Sequence, residues 1–395
     1  MLDLSEYPRF SLAERERRWG RVRQVMRERG CDCLVAPGMR DGEEQATARY
    51  LSQIGGIGVH AWVVFPLHGE VTAIVDSDRN RDFVLRVQDW IGDVRAGNPS
   101  ELVPARLREL ELDGARIGLT QFDGHYRDPE GNIPYHTVRK LQEALPRAQL
   151  YGENEVLNLA RLVRGPEEVA VIERVTAANE EAIRVMCETA RPGVRQQEVW
   201  YAMADVLTRA SGSWPARLSV TFDGPANQTL GMPIPDPIPA GSLCSQEICA
   251  RVRGYRAQCN HTIQVGDGGP ADYQDAMRAT IDVFNEMVAW LRPGRTIGEL
   301  LDHYVELCEA RGPKDASGVV YHSNGLGNDY PRLGPRLLRG ADDSKVPMQA
   351  GMTFTLKPVL HFPSGIRTQY GDPVAITESG ARRLGKRAQE PIIVR

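Results

Sequence analysis

Apolar residues recur at helical spacing soon after the chain begins. Leu12, Trp19, Val22, Val25 and Met26 share one side of a helix over residues 11–30, and Arg and Glu fill the other side. A short apolar run, Cys33–Ala36, reads as a buried strand. A second helical pattern over 44–54 ends at Gly55-Gly56. Two further apolar runs, Ala61–Pro66 and 70–75, flank the turn His68-Gly69 and read as a hairpin. Helix 81–90, strand Asp93–Ala96, helix 101–112 and strand Arg116–Leu119 complete an alternation that predicts a compact α/β domain with a mixed sheet, closing near residue 155.

The second half opens differently. Pro166, Glu167 and Glu168 suit the first turn of a long helix, and Val169, Ile172, Val175, Ala178, Ile183 and Met186 line one face of it. It stops at Arg191-Pro192-Gly193. A second long helix from Tyr273 stops at Arg292-Pro293-Gly294. Each stop is followed by a shorter helix, 196–209 and 297–311, and then by strands. This internal repeat predicts a duplicated half-domain with two sheets face to face. The expected domains are 1–155 and 156–395.

Composition narrows the class. A hydrophobic share of 42% and a charged share of 25% belong to an ordinary globular protein, and a net charge of −4 gives no reason to expect nucleic acid or an anionic membrane as partner. No stretch approaches the roughly 18 apolar residues of a membrane span. The Arg- and Glu-rich run 11–30 lacks the apolar segment of a signal peptide, so a cytoplasmic location is expected. The seven cysteines follow no disulfide spacing and are expected as free thiols, with Cys31 and Cys33 as core packing. Cys249, Cys259 and His261 suggest zinc, but strand alternation sets Cys249 opposite the other two and no fourth ligand stands at finger spacing.

Several segments, taken in order, resemble the creatinase, aminopeptidase P and prolidase superfamily. They are ARLVRGPEEV at 160–169, the two Arg-Pro-Gly stops, PAGSL at 239–243 running through Gly254-Tyr255 to Thr262, and QAGMTFTLKP at 349–358. Arg49-Tyr50-Leu51 before a Gly-rich loop matches the end of a helix in the N-terminal domain. The resemblance covers essentially the whole chain. It implies an α+β protein: a creatinase-like α/β domain, then a pita-bread domain with an internal pseudo-twofold.

Peptidase members of that superfamily hold two metal ions with two Asp, one His and two Glu. Laid on this sequence, those positions are Glu247, Gln258, Asn324, Lys357 and Gln369. The peptidase set carries about −4, balancing two divalent ions. Here Glu247 and Lys357 cancel, and a dinuclear centre would leave about +4 uncompensated in a partly desolvated cleft. No metal and no cofactor are therefore expected. The resemblance is nearest to metal-free members such as ectoine hydrolase and creatinase. The loop 220–231 contains no His, so the creatinase acid/base is missing.

The expected activity is metal-independent hydrolysis of a C–N or amide bond in a small polar nitrogenous compound. The alternatives are a lyase or biosynthetic enzyme on the same scaffold, or a peptidase-like protein that has lost catalysis. Glu247 is the candidate base or nucleophile, with a structural ion pair to Lys357 as its other role. Lys357 can neutralise Glu247, bind a substrate carboxylate or act as a base. His261 and His322 are candidate proton carriers. Tyr255, Gln258, Asn324, His361, Gln369 and Arg49 are candidate substrate contacts. Cys249 is a possible nucleophile, though buried packing suits it better. The resemblance also implies a homodimer in which the N-terminal domain covers the partner's site.

Overall fold

The computed structural model describes residues 9–38, 45–55, 59–123, 131–223, 232–311, 321–323, 325–326, 331–333 and 343–395. The chain divides into two compact units, Met1–Glu167 and Glu168–Arg395.

The first unit is built on a six-stranded mixed sheet. Its strands are β1 (Cys33–Ala36), β2 (Ala61–Pro66), β3 (Thr72–Val75), β4 (Asp93–Ala96), β5 (Arg116–Leu119) and β6 (Gln149–Gly152), in the order β4-β3-β2-β1-β5-β6. The β1–β2 and β2–β3 pairs are antiparallel; β1–β5, β3–β4 and β5–β6 are parallel. Helices α1 (Leu12–Arg29), α2 (Gln45–Ser52), α3 (Asp78–Val87), α4 (Pro99–Glu109), α5 (Tyr135–Ala144) and α6 (Glu155–Arg161) surround it. The alternation read from sequence is present, and α5 and β6 add a parallel extension at the β5 edge. Helix α3 begins three residues before the predicted start, because the Ser77 hydroxyl accepts the amide of Asn80 and caps the helix there. One sheet face packs Val35, Val64, Ile74, Ile117 and Leu119 against Val103, Leu107, Val138 and Leu141 from α4 and α5. Cys33 lies in that core and Cys31 is buried as well, both as free thiols.

The second unit shows the predicted repeat in its hydrogen bonds. Helix α7 (Pro166–Thr189) is followed by α8 (Gln196–Ser211), and α9 (Tyr273–Trp290) by α10 (Ile297–Glu309). Between the helices, the Gly193 amide donates to the Ile238 carbonyl and the Gly294 amide to the Met348 carbonyl, at 2.9 and 3.0 Å. Further on, the Gly241 amide donates to Val265 and the Gly351 amide to Ile376. All four glycines have φ between 78° and 89°, so each half makes the same two left-handed turns where only glycine is unstrained.

The strands that follow are β7 (Arg217–Phe222), β8 (Ser242–Cys249), β9 (Arg251–Val252), β10 (Tyr255–Arg256), β11 (Asn260–His261) and β12 (Ile263–Val265) in the first half. Those of the second are β13 (Tyr321–Ser323), β14 (Arg332–Leu333), β15 (Thr353–Leu356), β16 (Val359–His361), β17 (Arg367–Ile376), β18 (Ala381–Arg383) and β19 (Ile393–Val394). One sheet runs β19-β12-β8-β7, the other β11-β17-β15-β13-β14, with β16 and β18 also on β17. Thr262 joins the sheets: β11 on one side of it pairs with β17 and β12 on the other pairs with β8, while its amide and hydroxyl both bond the backbone of Gln369. Helix α7 lies behind the first sheet, where Met186 meets Cys244. Helix α9 lies behind the second, where Thr280 meets Thr368 and Phe284 stacks edge-on against Tyr370. The strand faces turned away from these helices carry Ser245 and Glu247 on β8 and Arg367 and Gln369 on β17.

Gly241→Ala and Gly193→Ala separate conformation from crowding. A Cβ at Gly193 meets nothing within 4 Å, so only the positive φ is penalised, by about 1 kcal/mol. A Cβ at Gly241 would stand 2.7 Å from the backbone of Gly268 and Gly269. Urea unfolding should therefore show Gly241→Ala to be the more destabilised of the two, by about 2 kcal/mol or more.

Candidate functional site

The pseudo-twofold sets Glu247 against Lys357. Glu247 stands six residues after Gly241, and Lys357 six after Gly351. Gln258 precedes Val265 by seven residues, as Gln369 precedes Ile376. Each half thus supplies one charged residue and one amide from equivalent positions.

The charges meet. Lys357 Nζ lies 3.3 Å from Glu247 Oε1 and donates to Gln258 Oε1 at 3.0 Å. Arg217 Nε lies 2.5 Å from Glu247 Oε2, as a charge contact without hydrogen-bond alignment. His322 Nε2 is 2.8 Å from Gln258 Oε1, so that oxygen accepts from both the ammonium and the imidazole. The Gln258 side chain also bonds Glu247. The Lys357 and Glu247 side chains are 9% and 17% exposed, so this cluster is largely desolvated.

Electrostatics fix the protonation states. Burial pushes the Glu247 carboxyl up, but Lys357 and Arg217, with bonds from Lys357 and Gln258, outweigh it and hold the pKa at about 2. Burial, reinforced by Lys357 and Arg256, takes His322 down to about 3. It is neutral near pH 7, with its Nε2 proton directed at Gln258. Burial pushes Cys249 up to about 11, so it is a thiol and a poor nucleophile.

The remaining predicted site residues distribute as follows. Gln369 is buried on β17, on the same strand face as Arg367, whose Nη1 lies 3.4 Å from Ser245 Oγ. Tyr255 is buried and donates to Glu168 Oε1 at 2.7 Å, which ties β10 to α7. His361 is half-buried on β16, opposite Arg367. Arg49 belongs to α2 of the first unit, its guanidinium packed over Gly55. Asn324, residues 56–58, 224–231 and 327–330 lie outside the described residues.

His261 stands on the other side of β17. Its Nε2 meets the Glu390 carbonyl at 3.0 Å, its Nδ1 accepts from Arg387 Nε at 3.5 Å, and its ring packs on Tyr370. Burial and Arg387 lower its pKa to about 3. It joins a network the sequence reading did not anticipate: a fully buried Asp372 accepts from Arg383, Arg387 and Tyr370, and Cys259 points its thiol at the same carboxylate from 3.4 Å. Glu180 on α7 accepts the amides of Lys386 and Arg387. This cluster binds the C-terminal segment to α7 and to β11 and β17. Arg217 and Arg367 were missed for a different reason. Only the β7–β8 register brings Arg217 to Glu247, thirty residues later in the chain.

Among the described residues no group of three or more His, Cys, Asp or Glu side chains is placed to hold a metal ion. Nor does any described helix have the length and apolarity to cross a membrane.

Comparison with known proteins fits this architecture. The pattern of metallopeptidase family M24 matches residues 170–378, more than half of the chain. The chain belongs to family M24. The Creatinase/Prolidase N-terminal domain matches residues 18–163, so the expected superfamily is confirmed over both units. Among M24 relatives, the Xaa-Pro dipeptidase of Pyrococcus furiosus is 24% identical over 66% of this chain and 74% of its own length. The dimethylsulfoniopropionate lyase DddP of Roseobacter denitrificans is 24% identical over 66% of this chain and 60% of its own. The Xaa-Pro dipeptidase structure from Bacillus anthracis superposes with a TM-score of 0.78 at 18% identity, over 96% of this chain and 99% of that one. That likeness establishes the fold.

The buried histidines and Glu247 make stability pH-dependent in one direction. His261 and His322 titrate at about 3 in the fold against 6.5 when exposed, and Glu247 at about 2 against 4.5. In each interval the unfolded chain binds more protons. The histidines' contribution is complete above pH 6.5 and is lost as pH falls toward 3; that of Glu247 is lost from 4.5 toward 2. Urea unfolding from pH 8 to pH 4 should show stability falling below 6.5 by up to about 1.4 kcal/mol per pH unit for each histidine. The slope should decrease in His322→Gln.

Proposed function

We propose that this M24 protein is a metal-independent hydrolase of a C–N or amide bond in a small polar nitrogenous compound, with ectoine hydrolase and creatinase as its nearest kinds. The supporting observation is the Lys357 ammonium seated between Glu247 and Gln258. A protonated lysine cannot ligate a metal, and its charge occupies the place a cation would need. Two divalent ions do not fit this donor set, and no step is routed through a metal.

The chain's own groups supply a reaction. Glu247, ionised at every ordinary pH, holds a water by hydrogen bond and takes its proton as the water oxygen bonds to the substrate carbon. Lys357 gives a proton to the nitrogen as the C–N bond breaks. A carboxylate near pKa 2 is a weak base, so Glu247 gains strength only when substrate draws the cations away from it. Gln258, fixed by His322, keeps Lys357 aimed at the reacting atoms. The reading also takes the protein as a cytoplasmic homodimer.

A second reading has its own support. The match to a lyase and the absence of His from the loop 220–231 favour elimination by the same acid and base. Mass spectrometry of the products separates the two, because hydrolysis adds the mass of water.

Purified protein stripped with EDTA should turn over a substrate found among N-acyl amino acids, cyclic amidines and guanidino compounds. Glu247→Gln should lower the rate about 100-fold or more. A requirement for added Mn, Co or Zn would reject the proposal. Lys357→Met removes the ion pair but leaves Glu247 with Arg217 and Gln258, so urea unfolding should show a loss of stability smaller than the roughly 3–5 kcal/mol of a buried charge left unpaired.

A further inference from the structure

Among the described residues, the polar face of the second unit carries more positive charge than Glu247 can balance. Lys357 and Arg217 both contact Glu247. Arg367, half-buried, has one long bond to the neutral Ser245 hydroxyl and no ion pair among the described residues. Among the described residues, three cations against one carboxylate leave about +2 on this face. Arg217 is partly exposed and shares Glu247, whereas a guanidinium such as Arg367, with no counter-ion among the described residues, is costly to desolvate, and its planar fork with five donors is suited to a bidentate oxyanion.

The same face holds hydroxyls without partners among the described residues. The β7–β8 register sets Ser219 directly across from Glu247 and Thr221 across from Ser245, so all four side chains share one side of the sheet. Ser219 and Thr221 are 0% and 4% exposed, and neither hydroxyl has a hydrogen-bond partner among the described residues. Buried hydroxyls are ordinarily satisfied, so two orphans on the face that Arg367 reaches through Ser245 mark a place where a polar ligand belongs.

We propose that this face binds an oxyanion, a carboxylate or phosphate borne by the substrate, between Arg217 and Arg367 and over the hydroxyls of Ser219 and Thr221. A cation is refused by the net charge, and a neutral apolar group would leave the hydroxyls and Arg367 unmet. The anion accepts from Arg367 and draws Arg217 away from Glu247. The substrate's own charge then raises the basicity of the carboxylate that acts on it. This inference rests on the hydrolase reading only in taking the ligand to be the substrate.

Thermal-shift and calorimetric titrations of the full chain at constant ionic strength test it, with inorganic phosphate, malonate and acetamide as probes. Phosphate or malonate, whichever matches the site, should bind saturably and raise the melting temperature above the sodium chloride control. Acetamide should not. Preference between the two anions identifies the charged group. Arg367→Gln should weaken anion binding about tenfold or more, and Arg367→Lys less. Ser219→Ala removes a hydroxyl that the protein itself leaves unpaired. It should weaken the anion several-fold while leaving the melting temperature of the free protein unchanged or raised. Arg278→Gln, exposed on α9, should change nothing. Failure of both anions to bind, or equal binding by Arg367→Gln and Ser219→Ala, overturns the proposal, even if turnover in EDTA persists. A metal requirement for turnover alongside Arg367-dependent anion binding overturns the hydrolase reading and leaves the anion site standing.

Discussion

An ammonium group held between a carboxylate and an amide governs the chemistry open to the second unit. Lys357 and Glu247 come from equivalent positions in two halves of a duplicated fold, and the fold brings such positions together whatever they carry. Two carboxylates there would repel until cations separated them. One carboxylate and one ammonium attract, and the arrangement is neutralised from within. The cost of burying both charges is offset by their immediate neighbours: Gln258 takes the ammonium and the imidazole of His322, and Arg217 stands against the other carboxylate oxygen.

A second charge cluster, on the opposite side of β17, does structural work. Asp372 is fully buried and is met by two arginines and a tyrosine. Gly385 must be glycine in practice, because a Cβ there would stand 2.7 Å from the Asp372 carboxylate. Alternate residues of one strand therefore serve two ends. Arg367 and Gln369 face the candidate site, and Tyr370 and Asp372 anchor the C-terminal segment. His261 belongs with the second group, although its position in the chain suggested the first.

Much of this was legible in the residues. Helical and alternating periodicities marked the main elements, and the repeated Arg-Pro-Gly stops announced the duplication. The resemblance pointed to the positions on which the site is built. Glu247, Lys357, Gln258 and His322 stand together in the structure. Arg217, Arg367, Ser219 and Thr221 were not legible, because no local spacing connects them. Arg217 is drawn to Glu247 by strand register, and Arg367 reaches Ser245 from the other sheet.

The sequence by itself determined the architecture, since hydrophobic period, glycine turns and helix stops are local signals that each segment carries alone. It also determined that the positions holding metal in the peptidases carry one carboxylate, one ammonium and amides, which is read from residue types alone. Only the tertiary structure decided which charges meet and in what state. Pairing, burial and orphaned hydroxyls depend on which strand faces which, and no single segment contains that information. The low pKa of Glu247, the neutral His322 and the surplus of cations beside them all arise from the closure of two sheets over one polar face.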